Sequence, residues 1–562
     1  MVDNAVFDSQ QSRPLQQTWM QLLPYDVVAL VLENLNQHEL LECMAVCASW
    51  YHSVPYYTTE RWHTVKIFRH RGGLGNHRLA RCLGEHVRRI SLSGYETQHQ
   101  LNQVLEDLVD LGCVWIESLE FYDTQVCVQQ SFFALLSKLA IHALRQIAFL
   151  RHRGVLDFFK VVAACPHLTV FDFSASGDQG ELEAYSMPSR SKITHMCLNG
   201  RPYDIHPQLE LILRQCPHLR FLATNNPWIR SQENMDKLLQ YCPRIEYFEY
   251  ARHTRNARHY LHEHIQRLPN DQDDGCLREL VLDGYRAGNM PDPHMLTTLE
   301  ILRLKTTLIR NIPPFSQSLD RLCILSCDQV LCDPPSILAS LIEQCPSLEE
   351  ITLRGFPLIP EICEALSNVS QLKRLYLFRN NHMRPGEGNI LWTLLQSLHH
   401  RPLQCLQLEG VLNDHLIESL ALPGNAAPHH HHHPQLTQLS ISSKYLTGGA
   451  LDRFITRSTC GILSRIKTLE ICDINMISRM MLAALGDLDY LERLVLRRCR
   501  YVDGNGINDL LFHTKALHSL CIMHCDIPDG KETIRYAIKK LGEEAVLYIP
   551  WKFVSFNIKE ER

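Results

Sequence analysis

A six-residue signature, hydrophobic-x-x-hydrophobic-x-hydrophobic, recurs seventeen times between Val87 and Ile522 and constrains the fold more tightly than any other feature of the chain. It reads VRRISL at Val87, IESLEF at Ile116, LRQIAF at Leu144, LTVFDF at Leu168, ITHMCL at Ile193 and LRFLAT at Leu219. It continues as IEYFEY at Ile245, LRELVL at Leu277, LEILRL at Leu299, LDRLCI at Leu319, LEEITL at Leu348 and LKRLYL at Leu372. The last copies are LQCLQL at Leu403, LTQLSI at Leu436, IKTLEI at Ile466, LERLVL at Leu491 and LHSLCI at Leu517. Successive copies start 20 to 33 residues apart. In each, the first apolar residue enters the interior from the preceding turn, and the fourth and sixth point inward from a short strand. A strand buried on one face cannot stand alone, so neighbouring copies stack in parallel and the segments between them return along the outside.

Some returns are helical: Ser336 to Gln344 places Ile337, Leu338, Leu341 and Ile342 at helical spacing. Thr306 to Ser318, with Pro313 and Pro314, is too short and proline-rich for one. Four returns end in Cys-Pro-x-(Leu/Ile), at Cys165, Cys216, Cys242 and Cys345; a compact cysteine suits a buried corner and proline ends the helix before the turn. Cys499 and Cys525 stand three residues beyond the last strand residue of their copies. Together these features resemble cysteine-containing leucine-rich repeats over residues 87–549. The resemblance implies an α/β solenoid, a curved parallel sheet with outer helices or irregular returns, shaped as a horseshoe.

The stretch Trp19 to Tyr57 is of another kind. Pro24 suits a first helical turn, and Val27, Val28, Leu30, Val31, Leu32 and Leu35 form an apolar run too wide for one buried stripe. A second helical segment opens at Asn36, a good N-cap, with Leu40, Met44 and Cys47 on one face and Leu41, Val46 and Trp50 beside it; Pro55 ends it. Some forty residues have too little interior for so much apolar surface, so the module either caps the following repeats or meets a partner. Leu23-Pro24, Asp26, Val27-Val28, Leu35, Leu40-Leu41, Val46-Cys47 and Trp50 resemble, in order and spacing, the F-box, over residues 19–65. That family's module is three-helical and docks on the Skp adaptor of an SCF ubiquitin ligase, while the rest of the chain holds a substrate. The resemblance implies adaptor contacts at Leu23, Pro24, Val28, Leu35, Leu40, Leu41, Val46, Cys47 and Trp50.

The domain reading is a polar terminus at 1–18, the F-box at 19–67, a basic connector at 68–86, repeats at 87–544 and a closing segment at 545–562. With 45% hydrophobic and 21% charged residues and a net charge of −5, the composition is that of a soluble globular protein with no general attraction to nucleic acid or membrane. The first residues lack a basic and apolar leader, and the 21 cysteines recur inside repeats, so the expectation is a reduced protein of cytosol or nucleus. Phosphate-loop, nucleophile-elbow and zinc-protease motifs do not occur, and no catalytic residues, cofactor or metal ligands are expected. Cys323, Cys327 and Cys332 fall at strand and ladder positions of a repeat rather than forming a ligand set. The run His429 to His433 has no cysteine or carboxylate set beside it at fixed spacing and reads as a loop, as does the acidic insertion between Arg252 and Cys276.

In such a repeat the third, fifth and seventh positions face the inner surface. From Leu299 to Phe378 these positions give Arg303, Lys305, Arg321, Arg354, Arg374, Tyr376 and Phe378, beside the acidic Glu249, Glu279 and Asp283 and the ring of Tyr247. Arginine with aromatic neighbours suits an acidic or phosphorylated protein ligand. The resemblance thus implies a non-catalytic substrate receptor, linked through a Skp adaptor to cullin and RING subunits. A repeat scaffold without ubiquitin transfer is the alternative; a GTPase regulator, ranked below both, would want an exposed arginine or an asparagine-rich ladder aimed at a nucleotide pocket, and here the ladder position is mostly not asparagine.

Overall fold

The computed structural model of the chain describes residues 23–71, 73–124, 130–184, 191–200, 206–251, 261, 265, 276–284, 288–289, 297–311, 319–332, 334–356, 359–379, 387–398, 401–421, 436–458, 462–528, 530–542 and 545–550. The polar terminus, the histidine run, most of the insertion between Arg252 and Cys276, the prolines at 313–314 and the end of the closing segment lie outside them. The chain divides into two compact units, Met1–Pro227 with Asn256–Arg267, and Trp228–Arg255 with Leu268–Arg562.

The first unit opens with three short helices, α1 (Tyr25–Glu33), α2 (Gln37–Cys43) and α3 (Ala48–Tyr57). A capping box starts α2: Asn36 Oδ1 accepts the Glu39 N–H at 3.1 Å and Glu39 Oε2 accepts the Asn36 N–H at 2.7 Å. The segment expected to run unbroken from Asn36 to Pro55 instead breaks before Cys47, whose extended backbone caps α3. Pro55 lies inside α3 rather than ending it. Hydroxyls support the turn that follows, Thr58 Oγ1 donating to the Val54 carbonyl at 2.7 Å and Thr59 Oγ1 to that of Pro55 at 3.2 Å.

The unit continues as a parallel sheet of seven strands, β1 (Thr64–Phe68), β2 (Arg89–Ser93), β3 (Ser118–Tyr122), β4 (Gln146–Asp157), β5 (Val170–Glu183), β6 (His195–Asn199) and β7 (Phe221–Thr224). Strand β1 is one more copy of the signature, lying within the residues that the sequence assigns to the F-box. In WHTVKI, Trp62 is buried, Val65 pairs with Ile90 and Ile67 with Leu92. Trp62 also ties the helices to the sheet, its indole N–H donating to Thr58 Oγ1 at 3.0 Å in the interior. Rings fill the middle of the sheet, Phe121 stacking on Phe149 with centroids 4.9 Å apart.

Among the described residues the main sheet of the second unit has twelve parallel strands, beside two short parallel ribbons. They are β8 (Tyr247–Ala251), β9 (Glu279–Asp283), β10 (Ile301–Lys305), β11 (Ile324–Asp328), β12 (Glu350–Arg354) and β13 (Arg374–Phe378). Then come β14 (Cys405–Glu409), β15 (Gln438–Ser442), β16 (Thr468–Cys472), β17 (Arg493–Arg497), β18 (Ser519–Cys525) and β19 (Val546–Pro550). The described part of the closing segment is therefore one more strand, Val546 pairing with Leu520 and Tyr548 with Ile522.

One copy of the signature is out of register with the structure. Leu325 pairs with Leu302 and Cys327 with Leu304, so the tenth copy is LCILSC from Leu322, three residues later than LDRLCI. Both frames satisfy the apolar pattern, and Cys327, a small hydrophobe, fills the sixth position where a leucine was sought. Cys323 accordingly moves to the second position. The backbone marks the same frame independently. The eighth residue of eleven copies, among them Gly94, Asp123, Gly284, Gln329, Gly355, Gly410 and Arg498, has φ between +43° and +79°. In nine of them its N–H reaches the seventh-position carbonyl of the next strand, as in Gln329 to Arg354 at 2.8 Å and Gly410 to Ser442 at 2.7 Å. Only the frame starting at Leu322 puts Gln329 eighth.

The returns follow local rules. Helix Ser336–Glu343 buries Leu338, Leu341 and Ile342 as its spacing requires. In the four Cys-Pro turns the cysteine carbonyl accepts the N–H of the first apolar residue of the next copy, at 3.1 Å for Leu168, Leu219 and Ile245 and 3.3 Å for Leu348. Proline sits second in each turn, where its fixed φ fits. The cysteines are buried, and burial pushes the thiols of Cys165, Cys216 and Cys345 up to about 12.

Candidate interaction surfaces

The helical module has two faces. Val28 and Leu32 of α1, Leu40 of α2, Met44 and Val54 of α3 and its approach are buried. Facing outward are Leu23, Tyr25, Val27, Leu30, Val31, Val46 and Tyr56, with Leu30 63%, Val46 66% and Tyr56 69% exposed. Tyr25 packs on Tyr56 and Tyr57, with ring centroids 5.7 and 4.9 Å away, so the aromatic part of this surface is preorganised.

Of the contacts implied by the F-box resemblance, Leu23, Pro24, Val46 and Cys47 are exposed and Leu35, Leu41 and Trp50 half-buried. Val28 and Leu40 are corrections: both are fully buried and hold the helices together, leaving no surface for a partner. Tyr25, Leu30, Val31 and Tyr56 were not singled out as contacts, although the excess width of the apolar run was the signal for two of them, Leu30 and Val31. Leu41 opens into a 630 Å³ cleft between α2 and β1, whose other lining includes Glu42, Lys66, Phe68, Arg78 and Leu79.

The inner face of the first unit is closed over β4 to β7: Ala148, Val170, Asp172, His195, Cys197, Phe221 and Ala223 are all buried. In the second unit Tyr247 and Glu249 of β8 are buried too, Tyr247 Oη donating to Glu249 Oε2 at 2.8 Å. Burial, ahead of the neighbouring Glu279 and Asp283, raises the Glu249 carboxyl above its ordinary range. From β9 to β13 the third, fifth and seventh positions are all at least partly exposed, whereas Cys405, Val495 and Cys521 on later strands are buried.

On that open face Arg303, Lys305, Arg354, Arg374, Tyr376 and Phe378 stand as their positions require, but Arg321 does not. With the tenth copy starting at Leu322, Arg321 precedes the repeat in an exposed turn, and Ile324, Ser326 and Asp328 take the inner positions. Nor is the strip electropositive. Arg303 meets Glu279 at 3.2 Å, Lys305 meets Asp283 at 3.6 Å, Arg354 meets Asp328 at 3.8 Å and Arg374 meets Glu350 at 2.6 Å, each acid lying one strand before its base. The Arg354 guanidinium also lies over the Phe378 ring, 4.2 Å from its centroid. Four cations answer four carboxylates, so the attraction for an acidic or phosphorylated ligand expected from the sequence is cancelled locally.

Among the described residues no disulfide forms, no group of histidine, cysteine or acidic side chains is arranged to hold a metal, and no helix is long and apolar enough to cross a membrane.

Residues 20–55 match the F-box domain family. The chain thus carries an F-box followed by repeated strand-and-return units in parallel sheets. No curated protein sequence matches it. Among solved structures, an internalin (InlF) from Listeria monocytogenes is 14% identical over 80% of this chain and 93% of its own, with a TM-score of 0.32. The Drosophila Toll–Spatzle complex gives 14% identity over 80% of this chain and 48% of that one, also with a TM-score of 0.32.

Proposed function

We propose that the chain is the substrate-recognition subunit of an SCF-type ubiquitin ligase in cytosol or nucleus. Its F-box docks on a Skp adaptor and so reaches cullin and RING subunits. The open inner face of the second unit holds a target protein, and proximity to a charged conjugating enzyme raises the effective concentration of its lysines. The chain itself performs no covalent step. The observation that carries this reading is the coincidence, on one short module, of the F-box match with an apolar outer face that the described residues leave uncovered. The strip on β9 to β13 supports protein binding by shape and exchangeable hydrogen bonds rather than by net charge, because each of its four cations already has a partner.

The test is affinity purification of the full chain beside Leu23→Ala/Pro24→Ala, each followed by an in vitro ubiquitination assay on co-purified proteins. Adaptor and cullin recovered with the wild type alone, and ubiquitin added to proteins that both forms retain, are expected. Failure of the wild type to recover the adaptor sinks the reading. Recovery of the adaptor without any ubiquitinated target favours a scaffold.

A further inference from the structure

A second surface, on the outer rim of the last repeats, lies outside the F-box and the inner face. In three successive copies the residue just before an inward-pointing Leu, Ile or Val is large, apolar and exposed: Tyr445 before Leu446, Met476 before Ile477 and Tyr501 before Val502. They are 44%, 45% and 39% exposed, whereas Leu446, Ile477 and Val502 are buried. Met476 and Tyr501 are direct partners in a two-stranded parallel ribbon, and the Tyr501 N–H donates to the Asn475 carbonyl at 3.1 Å. On the other side the Met476 side chain leans on Gly448, where an added β-carbon would come within 3.3 Å of its methyl group. The glycine thereby seats Met476 against the copy that carries Tyr445.

The charges flanking this row differ from those of the inner face. Lys444 precedes Tyr445 and Arg500 precedes Tyr501, both exposed, and neither meets a carboxylate among the described residues. Nearby acids are engaged elsewhere: Asp473 with Arg498 at 2.7 Å, Asp414 with Thr447, and Asp503 in the cap at Gly506. Asp526 ends the row and makes no ion pair with Arg500. Exposed tyrosine and methionine beside unpaired cations is the composition of a docking site, since such side chains supply contact area at low entropic loss and cations supply direction.

The geometry points to a docking surface, formed by Tyr445, Met476 and Tyr501 between Lys444 and Arg500, for an acidic segment of a partner protein. Lys444 and Arg500 belong to copies whose strands, β15 and β17, are two ladder steps and so about 10 Å apart. An extended chain advances about 3.3 Å per residue, and the matching ligand carries an acidic residue on each side of an apolar one, three or four residues apart.

The experiment pans a phage-displayed library of random dodecapeptides against the full chain bound to its adaptor, in parallel with Lys444→Glu/Arg500→Glu and Tyr445→Ser/Tyr501→Ser. The wild type is expected to enrich peptides with acids flanking an apolar residue, the charge variant to enrich basic peptides instead, and the serine variant to lose selection at least tenfold. Adaptor affinity and melting temperature, measured on all three proteins, are expected to be equal. No acidic enrichment with the wild type, or the same peptides enriched by the charge variant, overturns the proposal. Loss of adaptor binding in the wild type would count against the ligase reading alone and leave the peptide result to stand by itself.

Discussion

The two faces of the F-box make opposite predictions for two leucines ten residues apart. Leu30 is 63% exposed and Leu40 is fully buried. Complete burial of a leucine side chain is worth about 1.5–3 kcal/mol, so covering the exposed part of Leu30 on docking contributes about 1–2 kcal/mol. Leu30→Ala should therefore weaken adaptor binding about 5- to 25-fold and leave the melting temperature unchanged. Leu40→Ala removes a packed side chain, at about 2–5 kcal/mol for transfer and cavity together, and should destabilise the module while molecules that remain folded bind the adaptor normally. Titration calorimetry of purified adaptor into each full-length variant, with thermal melts on the same samples, separates the two. Equal affinity of Leu30→Ala and wild type, or a melting loss in Leu30→Ala matching that of Leu40→Ala, would refute the assignment of faces.

Two further outcomes concern the repeats. Burial holds the His152 imidazole down to about 4 from an ordinary 6.5, with Thr124 Oγ1 at 3.2 Å from its Nδ1. The unfolded chain takes up a proton between those values that the folded chain does not, so this contribution to stability is intact above pH 6.5 and is lost as pH falls towards 4, by about 2 kcal/mol at pH 5. Denaturant unfolding at pH 7.5 and 5.0 should show His152→Leu spared that share of the wild-type loss; an identical loss in both proteins contradicts it. Gly410 and Gly355 share the left-handed eighth position, with φ of +69° and +75°. A β-carbon at 410 would overlap the Arg379 carbonyl oxygen, whereas the nearest atom at 355 is Gln329 Cγ at 3.5 Å. Gly355→Ala should then lose about 1 kcal/mol and Gly410→Ala about 3 kcal/mol or more in urea unfolding; equal losses would show that the close approach is irrelevant.

Most of the strand framework was legible because the period is set by burial, which sequence reports directly: the fourth and sixth positions of sixteen copies lie inward as expected. The exceptions have physical causes. The tenth copy slipped because Leu319, Leu322, Ile324 and Leu325 satisfy two frames, and only the strand register and the left-handed residue at Gln329, neither visible in the sequence, decide between them. Strand β1 hid because a tryptophan replaces the leading leucine and the strand follows α3 almost directly. The αL position itself was open to reading from Gly94, Gly284, Gly355 and Gly410, but Arg498 and Gln329 adopt it without any such signal. On the F-box, an apolar residue was taken as a contact by its place in the motif, and motif order does not distinguish Val28, which faces in, from Val27, which faces out.

Charge was the least legible property, and the reason lies in the architecture. A parallel sheet brings residues some 20 to 30 positions apart in sequence to within one strand spacing, so the partner of Arg374 is Glu350 and that of Arg303 is Glu279, both 24 positions earlier. Reading along one strand shows a run of cations; reading across strands shows neutral pairs. The pairs are roughly a quarter to a half exposed, so each contributes about 0.2–1 kcal/mol to stability. Their larger effect is on recognition: a ligand carboxylate that approaches Arg374 must displace Glu350, and what it gains is close to what it breaks. Unpaired cations that pay no such exchange, Lys444 and Arg500, stand instead on the outer rim. On the readings proposed above, acid-directed binding belongs to the outer rim of the last repeats, and the paired strip on β9 to β13 offers contour rather than charge.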